Sequence, residues 1–414
     1  MKDILPMTKF RLAHLGLVMA AIGFTAAAPM VGLSSAAYAA ETVRAEIGKP
    51  LQEAQKLAQA GKSKDALAKL KETDAVGGKS PNEIYLIERT RFSIAMASGD
   101  NDVAAKSFET ISSTGKLPAA EAPKFAEGLA GNYYRAKDYA KAITWFQRVL
   151  KDNPNDTQAH EYLLQSYYSS GKYAEAGKEL AGSKNLSESQ LGMLANIQQK
   201  QNDKAGYVAT MEKLAANYPK PSYWTDLLNR VSGKPGFSNA LSLDVMRLRL
   251  ANGLLSKPSE YMEMAQLSLQ AGNPAEAVKI VDQGYKKGIL GTGADSARQQ
   301  RLKDLAAKTV ADNEKSEPTQ EAELLKNKDA DGLSNLGFGL VTAGKADKGL
   351  ALMEQALKFS DNARHPEDLK LHLGIAQMQA GKKAAALNTF KTVRGNEGAA
   401  DLARYWTMVI NHPM

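Results

Sequence analysis

A pattern of aromatic and small residues occurs twice in this sequence at an interval of 34 residues, and this interval constrains the fold more than any other feature. The first copy lies in NYYRAKDYAKAITWFQRVLKDNPND, residues 132–156. The corresponding positions are Tyr133 and Tyr167, Tyr134 and Tyr168, Tyr139 and Tyr173, Ala142 and Ala176, and Phe146 and Leu180. A fixed period of this size indicates that each unit is a supersecondary element, which stacks on its neighbours to bury its apolar face.

The spacing of apolar residues within one unit predicts two helices joined by a short turn. The residues that share a face are Leu129, Ala130 and Tyr133 in the first helix, and Ala142, Phe146 and Val149 in the second. The second set has the i, i+4, i+7 spacing of a single helix face. Pro154 ends the second helix, because proline lacks a backbone N–H and clashes with the preceding turn. We expect the small Ala142 side chain to let the two helices approach closely.

This unit resembles the tetratricopeptide repeat, a helix–turn–helix unit of about 34 residues with aromatic, small and proline residues at fixed positions. The resemblance is strongest for Ala126–Pro154 and His160–Leu180. More divergent units are found at Leu51–Thr73, Glu83–Ile111, Ser189–Pro219, Pro258–Lys287, Leu333–Lys358 and Glu367–Val393. The resemblance implies an all-α fold, a right-handed superhelical solenoid of antiparallel helix pairs.

The first 39 residues have the composition of a secretory signal peptide. Basic residues at positions 2, 9 and 11 precede the apolar stretch 12–40, which ends in the small-x-small cleavage site AYA at 37–39. An uncleaved anchor is the alternative, because the stretch is nearly long enough to span a bilayer. Pro29 and the cleavage site favour removal. The expected location is therefore the periplasm or the medium, with no stable membrane insertion after cleavage.

The rest of the chain divides into five predicted segments. Residues 40–115 hold degenerate repeat-like helix pairs, 116–220 clear repeats, 221–290 a divergent helix pair and a repeat-like unit, 291–331 a loop and a polar connecting helix, and 332–414 repeat-like units with a capping helix. No Pro- or Ser-rich linker separates these segments, which favours a continuous solenoid. The polar connector either separates two superhelices or is a longer repeat, and the sequence leaves both alternatives open.

Composition limits the chemistry of the exported chain. The absence of cysteine excludes disulfides, thiolate metal sites, cysteine nucleophiles and a lipid-modified cysteine. Residues 1–39 contain three of the 53 basic and one of the 45 acidic residues, so removing them leaves a net charge of +6. The basic residues are interspersed with acidic ones and form no clustered stripe. We therefore expect no nucleic acid partner.

No motif in the sequence predicts catalysis or a cofactor. Gly61 and Gly78 each precede Lys-Ser, but the upstream glycine of a phosphate-binding loop is missing in both cases. The histidines after the signal peptide are His160, His365, His372 and His412, and none has the spacing of a zinc-protease helix. A Gly-x-Ser-x-Gly nucleophile elbow is also missing. We therefore expect a protein that is not an enzyme and binds no metal or cofactor.

The resemblance also implies a binding groove, lined by the first helix of each unit, for peptides or helices of other proteins. The positions that line it are Glu127, Gly131, Tyr134 and Arg135 in one unit, and Glu161, Gln165, Tyr168 and Ser169 in the next. The carboxylate clamp of this family needs lysine and asparagine where this chain has Glu127/Gly131 and Glu161/Gln165, which disfavours capture of a chaperone's C-terminal carboxylate. We call Glu127, Tyr134, Arg135, Glu161, Gln165 and Tyr168 the candidate groove.

The resemblance implies a non-catalytic scaffold or adaptor of the bacterial cell envelope, with other envelope proteins as partners. The alternative is an accessory factor for export or assembly of an envelope polymer, which would hold a glycan or polymer chain in the groove. Aromatic platforms bordered by acidic residues would indicate that alternative, and Tyr134 and Tyr168 are the residues that suggest it. A structural role for these two tyrosines, as cover for the neighbouring helix, fits the sequence equally well.

Overall fold

The computed structural model describes residues 43–183 and 185–413, which form helices and turns with no strand among them. These residues form two compact units, which divide between Asn202 and Asp203. The all-α class predicted from the sequence is thereby confirmed. The predicted signal peptide, residues 1–39, lies outside the described residues. The segment boundaries predicted between residues 40 and 414 stay predictions.

The first unit is built from short helices joined by tight turns. Its helices are α1 (Ala45–Gln59), α2 (Ser63–Leu70), α3 (Pro81–Ser98), α4 (Asn101–Ser113), α5 (Ala122–Arg135), α6 (Tyr139–Asp152), α7 (Thr157–Ser169), α8 (Tyr173–Ala181) and α9 (Glu188–Lys200). A 3-10 turn at Lys71–Ala75 follows α2. Successive helices pair as α1 with α2, α3 with α4, α5 with α6, and α7 with α8. This pairing is the arrangement that the repeat predicts.

Capping side chains determine where several of these helices begin. The Ser80 side chain accepts a hydrogen bond from the Glu83 N–H, and the Glu83 carboxylate accepts one from the Ser80 N–H. This capping box satisfies two backbone donors that have no partner within the helix. Asp138 and Asp156 cap α6 and α7 in the simpler way, with one carboxylate.

The core of the first unit lies between the paired helices and between successive pairs. The predicted face residues Leu129, Ala130, Tyr133, Ala142, Phe146 and Val149 are all buried. Phe146 of α6 stacks on Tyr162 of α7, with ring centroids 5.6 Å apart and an angle of 9° between the rings. Each helix pair therefore buries its apolar face against the next pair, as stacked repeats require.

The second unit repeats this construction and adds one long helix. Its helices are α10 (Lys204–Asn217), α11 (Pro221–Ser232), α12 (Ser242–Ala251), α13 (Pro258–Gln270), α14 (Pro274–Lys286), α15 (Ser296–Asn327), α16 (Ala330–Thr342), α17 (Ala346–Lys358), α18 (Pro366–Gln379), α19 (Lys383–Phe390) and α20 (Ala399–Asn411). Two 3-10 turns lie at Asn239–Leu241 and Ser360–Asn362. The 32 residues of α15 cover most of the polar stretch 291–331.

The last helix of the second unit returns to the first helices of the same unit. Tyr405 of α20 packs edge-on against Trp224 of α11, with ring centroids 6.2 Å apart. Arg404 of α20 donates to the Glu212 carboxylate of α10 at 2.8 Å. Helices separated by almost the whole length of this unit are therefore in direct contact, which the local sequence pattern does not predict.

Candidate functional site

The candidate groove lies on α5 and α7 of the first unit. Arg135 and Glu161 are exposed there, whereas Glu127, Tyr134, Gln165 and Tyr168 are half-buried. Of the two further positions expected to line the groove, Ser169 is exposed and Gly131 is buried. Gly131 therefore offers little surface to a partner, and its expected place in the groove stays a prediction.

Tyr134 is held by two other tyrosines of the first unit. Its ring centroid lies 5.8 Å from that of Tyr139 and 5.0 Å from that of Tyr162, and both contacts are edge-to-face. Burial raises the pKa of the Tyr134 hydroxyl, with smaller contributions from the neighbouring tyrosines. Tyr134 thus ties α5 to α6 and α7, and only part of its side chain reaches the surface.

Tyr168 makes the corresponding contact one repeat later. Its ring packs edge-to-face against Tyr173 of α8, with centroids 5.7 Å apart. The contacts with Tyr139 and Tyr173 each join the end of one helix to the start of the next, so both tyrosines cover a neighbouring helix. The platform of Tyr134 beside Tyr168 stays a prediction.

Tyr162 also belongs to this surface, although the repeat pattern does not predict it. It lies between Tyr134 of α5 and Phe146 of α6 and contacts both rings. The 34-residue comparison could not reveal it, because the position one period earlier is Gly128. The wider aromatic surface therefore consists of Tyr134, Tyr162 and Tyr168.

The polar residues of the candidate groove carry charges of both signs. Burial raises the pKa of Glu127, and the charge of Asp156 adds to this effect. Burial lowers the pKa of Arg135, although Tyr162 opposes this shift. The Arg135 guanidinium also donates a hydrogen bond to Asn132. Groups of opposite charge thus lie on α5 together with Tyr134, and each would gain from a partner that supplies the complementary charge.

Gln165 of α7 is half-buried, and one atom of its side chain has no hydrogen-bond partner within the described residues. Its Nε2 donates to Ser169 Oγ at 3.2 Å. Its Oε1 is buried and accepts no hydrogen bond within the described residues. A buried acceptor without a partner costs about 1–3 kcal/mol.

His160 serves packing in the first unit. Its Nε2 donates to the Pro154 carbonyl at 2.9 Å, and its Nδ1 pairs with the Glu179 carboxylate. Burial alone would lower its pKa, but the contacts with Pro154 and Glu179 outweigh burial and raise it. No cluster of three or more metal-ligating side chains occurs in 43–183 and 185–413.

The second unit contains a cavity of about 450 Å³ beneath the middle of α15. Leu269 of α13 and Leu336 of α16 contribute apolar surface, and Gln270 and Asn335 add side-chain amides. At the rim, Glu317 accepts from Lys345 and Lys348, both at 2.7 Å. Lys348 also pairs with the Glu321 carboxylate at 2.7 Å, so the two lysines and these two carboxylates balance in charge. None of the helices in the described part of the chain is both long and apolar enough to cross a membrane.

The tetratricopeptide repeat family model matches residues 89–157. None of the curated proteins matches the chain. The structure of Naa15/Naa10 bound to HypK-THB is similar over 84% of this chain and 58% of that chain, with 14% sequence identity and a TM-score of 0.28. This chain therefore spans little more than half the length of that structure. The P58(IPK) TPR domain is similar over 82% of this chain and 99% of that chain, with 14% identity and a TM-score of 0.21.

The matched segment runs from α3 to the start of α7 and includes Glu127, Tyr134 and Arg135 of the candidate groove. Glu161, Gln165 and Tyr168 follow it in the next helix. Repeats of this kind stack into extended surfaces that bind other proteins, which supports a protein-interaction scaffold. The family prediction is confirmed: this chain carries tetratricopeptide repeats, and residues 89–157 are the part that matches the family.

Proposed function

We propose that this protein is a non-catalytic adaptor of the bacterial cell envelope, which binds a segment of another envelope protein through the candidate groove. The observation that carries this proposal is the surface formed by α5 and α7. There, half-buried tyrosines lie on the same two helices as the charged residues Glu127, Arg135 and Glu161. The family match supports protein binding in general, and the groove is where we place it.

The tyrosines suit a binding surface because they are held in place before a partner arrives. Tyr134 and Tyr168 are each fixed by an edge-to-face contact with another tyrosine. Rings that are already ordered lose little conformational entropy on binding, and this favours affinity. Tyrosine and arginine are also enriched among the residues that dominate protein interfaces.

The polar groups indicate what kind of segment would fit. A lysine or arginine would complement Glu127 and Glu161, and a carboxylate or carbonyl would complement Arg135. We therefore propose a peptide segment with at least one basic residue as the ligand.

The envelope location rests on the N-terminal sequence. The basic start, the apolar stretch 12–40 and the AYA site at 37–39 favour export and cleavage. On this basis we place the mature protein in the periplasm or the medium.

A second candidate is an accessory role in export or assembly of an envelope polymer. The observation that favours it is that burial raises the pKa of both Tyr134 and Tyr162 and the charge of Glu161 adds to the rise, so this carboxylate lies near both rings. Rings beside hydrogen-bonding carboxylates are a combination that can also hold a sugar chain.

Affinity capture from envelope extract tests the proposal, with residues 40–414 as bait. We expect a protein to co-purify with the parent and to be lost when the bait carries Glu161→Arg, a charge reversal at an exposed groove position. Glu175→Arg is the matched control, because Glu175 is exposed on α8 outside the groove. Recovery of polysaccharide instead of protein would favour the second candidate, and equal capture by all three baits would remove the groove from the proposal.

A further inference from the structure

Helix α12 of the second unit carries two charged residues that are almost fully buried. Asp244 is 1% exposed and Arg247 is 6% exposed. They lie three residues apart, so they share one face of the helix, and Arg247 Nη1 donates to Asp244 Oδ1 at 2.7 Å. Charges this deeply buried are tolerated only when partners compensate for lost hydration.

All three guanidinium nitrogens of Arg247 donate hydrogen bonds to carboxylates. Its Nε and Nη2 donate to the Glu276 carboxylate of α14 at 2.8 and 2.7 Å. Ser268 of α13 donates to the same carboxylate at 3.1 Å. The guanidinium carbon also lies 4.3 Å from the ring centroid of Phe338 in α16. Since arginine stays charged at any relevant pH, Arg247 fixes this network in place but cannot switch it.

The switchable contact joins α12 to α18. His372 of α18 lies 128 residues along the chain from Asp244, and its Nε2 lies 3.0 Å from Asp244 Oδ2. The ring of His372 also packs edge-on against Phe338, with centroids 6.1 Å apart. Helix α12, near the start of this unit, is thereby joined to α18, near its end, by a contact between two titratable side chains.

The charges of the network balance only when protons are added. Asp244, Glu276 and Arg247 together carry one net negative charge, and a protonated His372 brings the group to neutrality. Asp368 lies one turn before His372 on α18 and, when ionised, restores the negative excess. The groups that influence Asp368 and His372 are Asp244 and Arg247 of α12, His365 at the start of α18, and Glu397 before α20.

The direction of both pKa shifts agrees with this charge balance. Burial raises the pKa of Asp368 to about 6, and Asp244 and Glu397 add to the rise while His372 and His365 oppose it. Burial would lower the pKa of His372, but Asp244 outweighs burial and raises it. Burial opposes ionisation of Asp244 too, yet His372 and Arg247 hold its pKa at about 2.

We propose that Asp244, Asp368 and His372 form a proton-controlled clasp, which tightens the contact between α12 and α18 in mild acid and loosens it as the pH rises above neutrality. The clasp regulates how firmly α12 and α18 of the second unit are held together. It shares no residue with the candidate groove, which lies in the first unit.

Proton linkage gives the direction in which the stability of the contact between α12 and α18 changes with pH. A folded-state pKa above its unfolded value gives stability that is complete below the unfolded pKa and is lost as pH rises through the folded pKa. For Asp368 that loss runs from 3.8 to about 6. For His372 it begins near 6.5 and extends to higher pH. Asp244 remains ionised throughout, so it is available to pair with protonated His372.

Hydrogen exchange on the mature chain tests the clasp. After correction for intrinsic exchange rates, we expect the amides of α12 and α18 to exchange about tenfold more slowly at about pH 5.5 than at about pH 7.5. Asp368→Asn removes a charge without changing shape and should slow exchange at the higher pH. His372→Gln should abolish most of the pH response.

His412→Gln is the matched control, since His412 is exposed at the end of α20 and should leave the parent response intact. Equal protection at both pH values in the parent, or greater protection at the higher pH, would overturn the proposal. So would an Asp368→Asn variant that exchanges like the parent at about pH 7.5. This last comparison decides the matter even if His372→Gln fails to fold.

Discussion

Gly337 of α16 and Gly349 of α17 bring their two helices into backbone contact. A Cβ placed on Gly337 would lie 2.6 Å from the Gly349 carbonyl oxygen, closer than real carbon atoms approach. Gly349 follows Gly337 by twelve residues, and Ala142 follows Ala130 by the same interval in the pair α5 and α6. Small residues thus occupy the corresponding positions of a helix pair in each unit. The close approach of α16 and α17 limits the size of the side chain that Gly337 can be replaced with.

Gly337→Ala should destabilise the second unit by about 1–3 kcal/mol, because the added methyl group overfills the crossing. Thermal unfolding followed by circular dichroism measures this. Gly339→Ala is the control on the same helix, since a Cβ there would meet only Asn273 Oδ1 at an ordinary 3.6 Å. Alanine is the better helix former, so the control should be neutral or slightly more stable. Equal melting temperatures for the two variants would contradict the close approach.

Ala142→Trp should destabilise the first unit by about 1–3 kcal/mol or more, because Ala142 is completely buried between α5 and α6. The damage should extend to neighbouring pairs, since stacked repeats share their interfaces. Ala140→Trp, at an exposed position of the same helix, should change stability by no more than about 0.5 kcal/mol. A variant at 142 that unfolds like the one at 140 would show that the assigned helix face is wrong.

Glu83 should give the first unit a distinct response to acid. Its carboxylate accepts from Arg44 Nε at 2.9 Å, Arg44 Nη2 at 2.8 Å and the Ser80 N–H at 2.9 Å. The Arg44 hydrogen bond, against the opposing effect of burial, lowers the pKa of Glu83 from 4.5 to about 2. A lowered folded-state pKa gives stability that is present above pH 4.5 and lost as pH falls through about 2.

Glu83→Gln should therefore lower the free energy of unfolding by about 1–3 kcal/mol at neutral pH, and the difference from the parent should shrink below about pH 3. Urea unfolding at a series of pH values measures both effects. Glu72→Gln serves as control, because Glu72 is exposed and its side chain is 55% accessible. A constant difference between variant and parent at every pH would contradict the role of the Glu83 charge.

The sequence predicted the helices and their buried faces because these depend on local spacing. Tyr133, Ala142 and Phe146 are buried as expected, since residues on one helix face must meet the next helix. The groove was predicted less well. The register identified Tyr134 and Tyr168, but their tyrosine neighbours depend on how successive pairs stack, and Tyr162 has no counterpart one period earlier.

Local sequence patterns do not predict the contacts between distant helices of the second unit. In the sequence, Asp244 and Arg247 cannot be distinguished from surface charges on a helix. The fold places Arg247 against Glu276 and Asp244 against His372. The ring contact between Tyr405 and Trp224 is equally unpredictable from local sequence, because it joins residues far apart in the chain. Periodicity identifies the faces of helices, whereas contacts between distant helices require their three-dimensional arrangement.

Export should remove the N-terminal segment. If the AYA site at 37–39 is cleaved, intact-mass measurement of the protein purified from envelope should show a chain that begins at Ala40. The control is the same protein made in the cytoplasm without export, which should retain residues 1–39. A full-length chain that requires detergent for extraction would indicate an anchor instead.

Binding of the captured partner to the candidate groove is the most direct test of the proposed function. Calorimetric titration would compare the parent with the Tyr134→Ala/Tyr168→Ala variant, with circular dichroism on the same preparations. We expect the double variant to stay helical and to bind at least tenfold more weakly, because loss of interface aromatics often costs about 2 kcal/mol each. Tyr134→Phe/Tyr168→Phe keeps the edge-to-face rings and should bind nearly as well as the parent. A folded double-alanine variant with undiminished affinity would contradict the account and place the partner elsewhere on the protein.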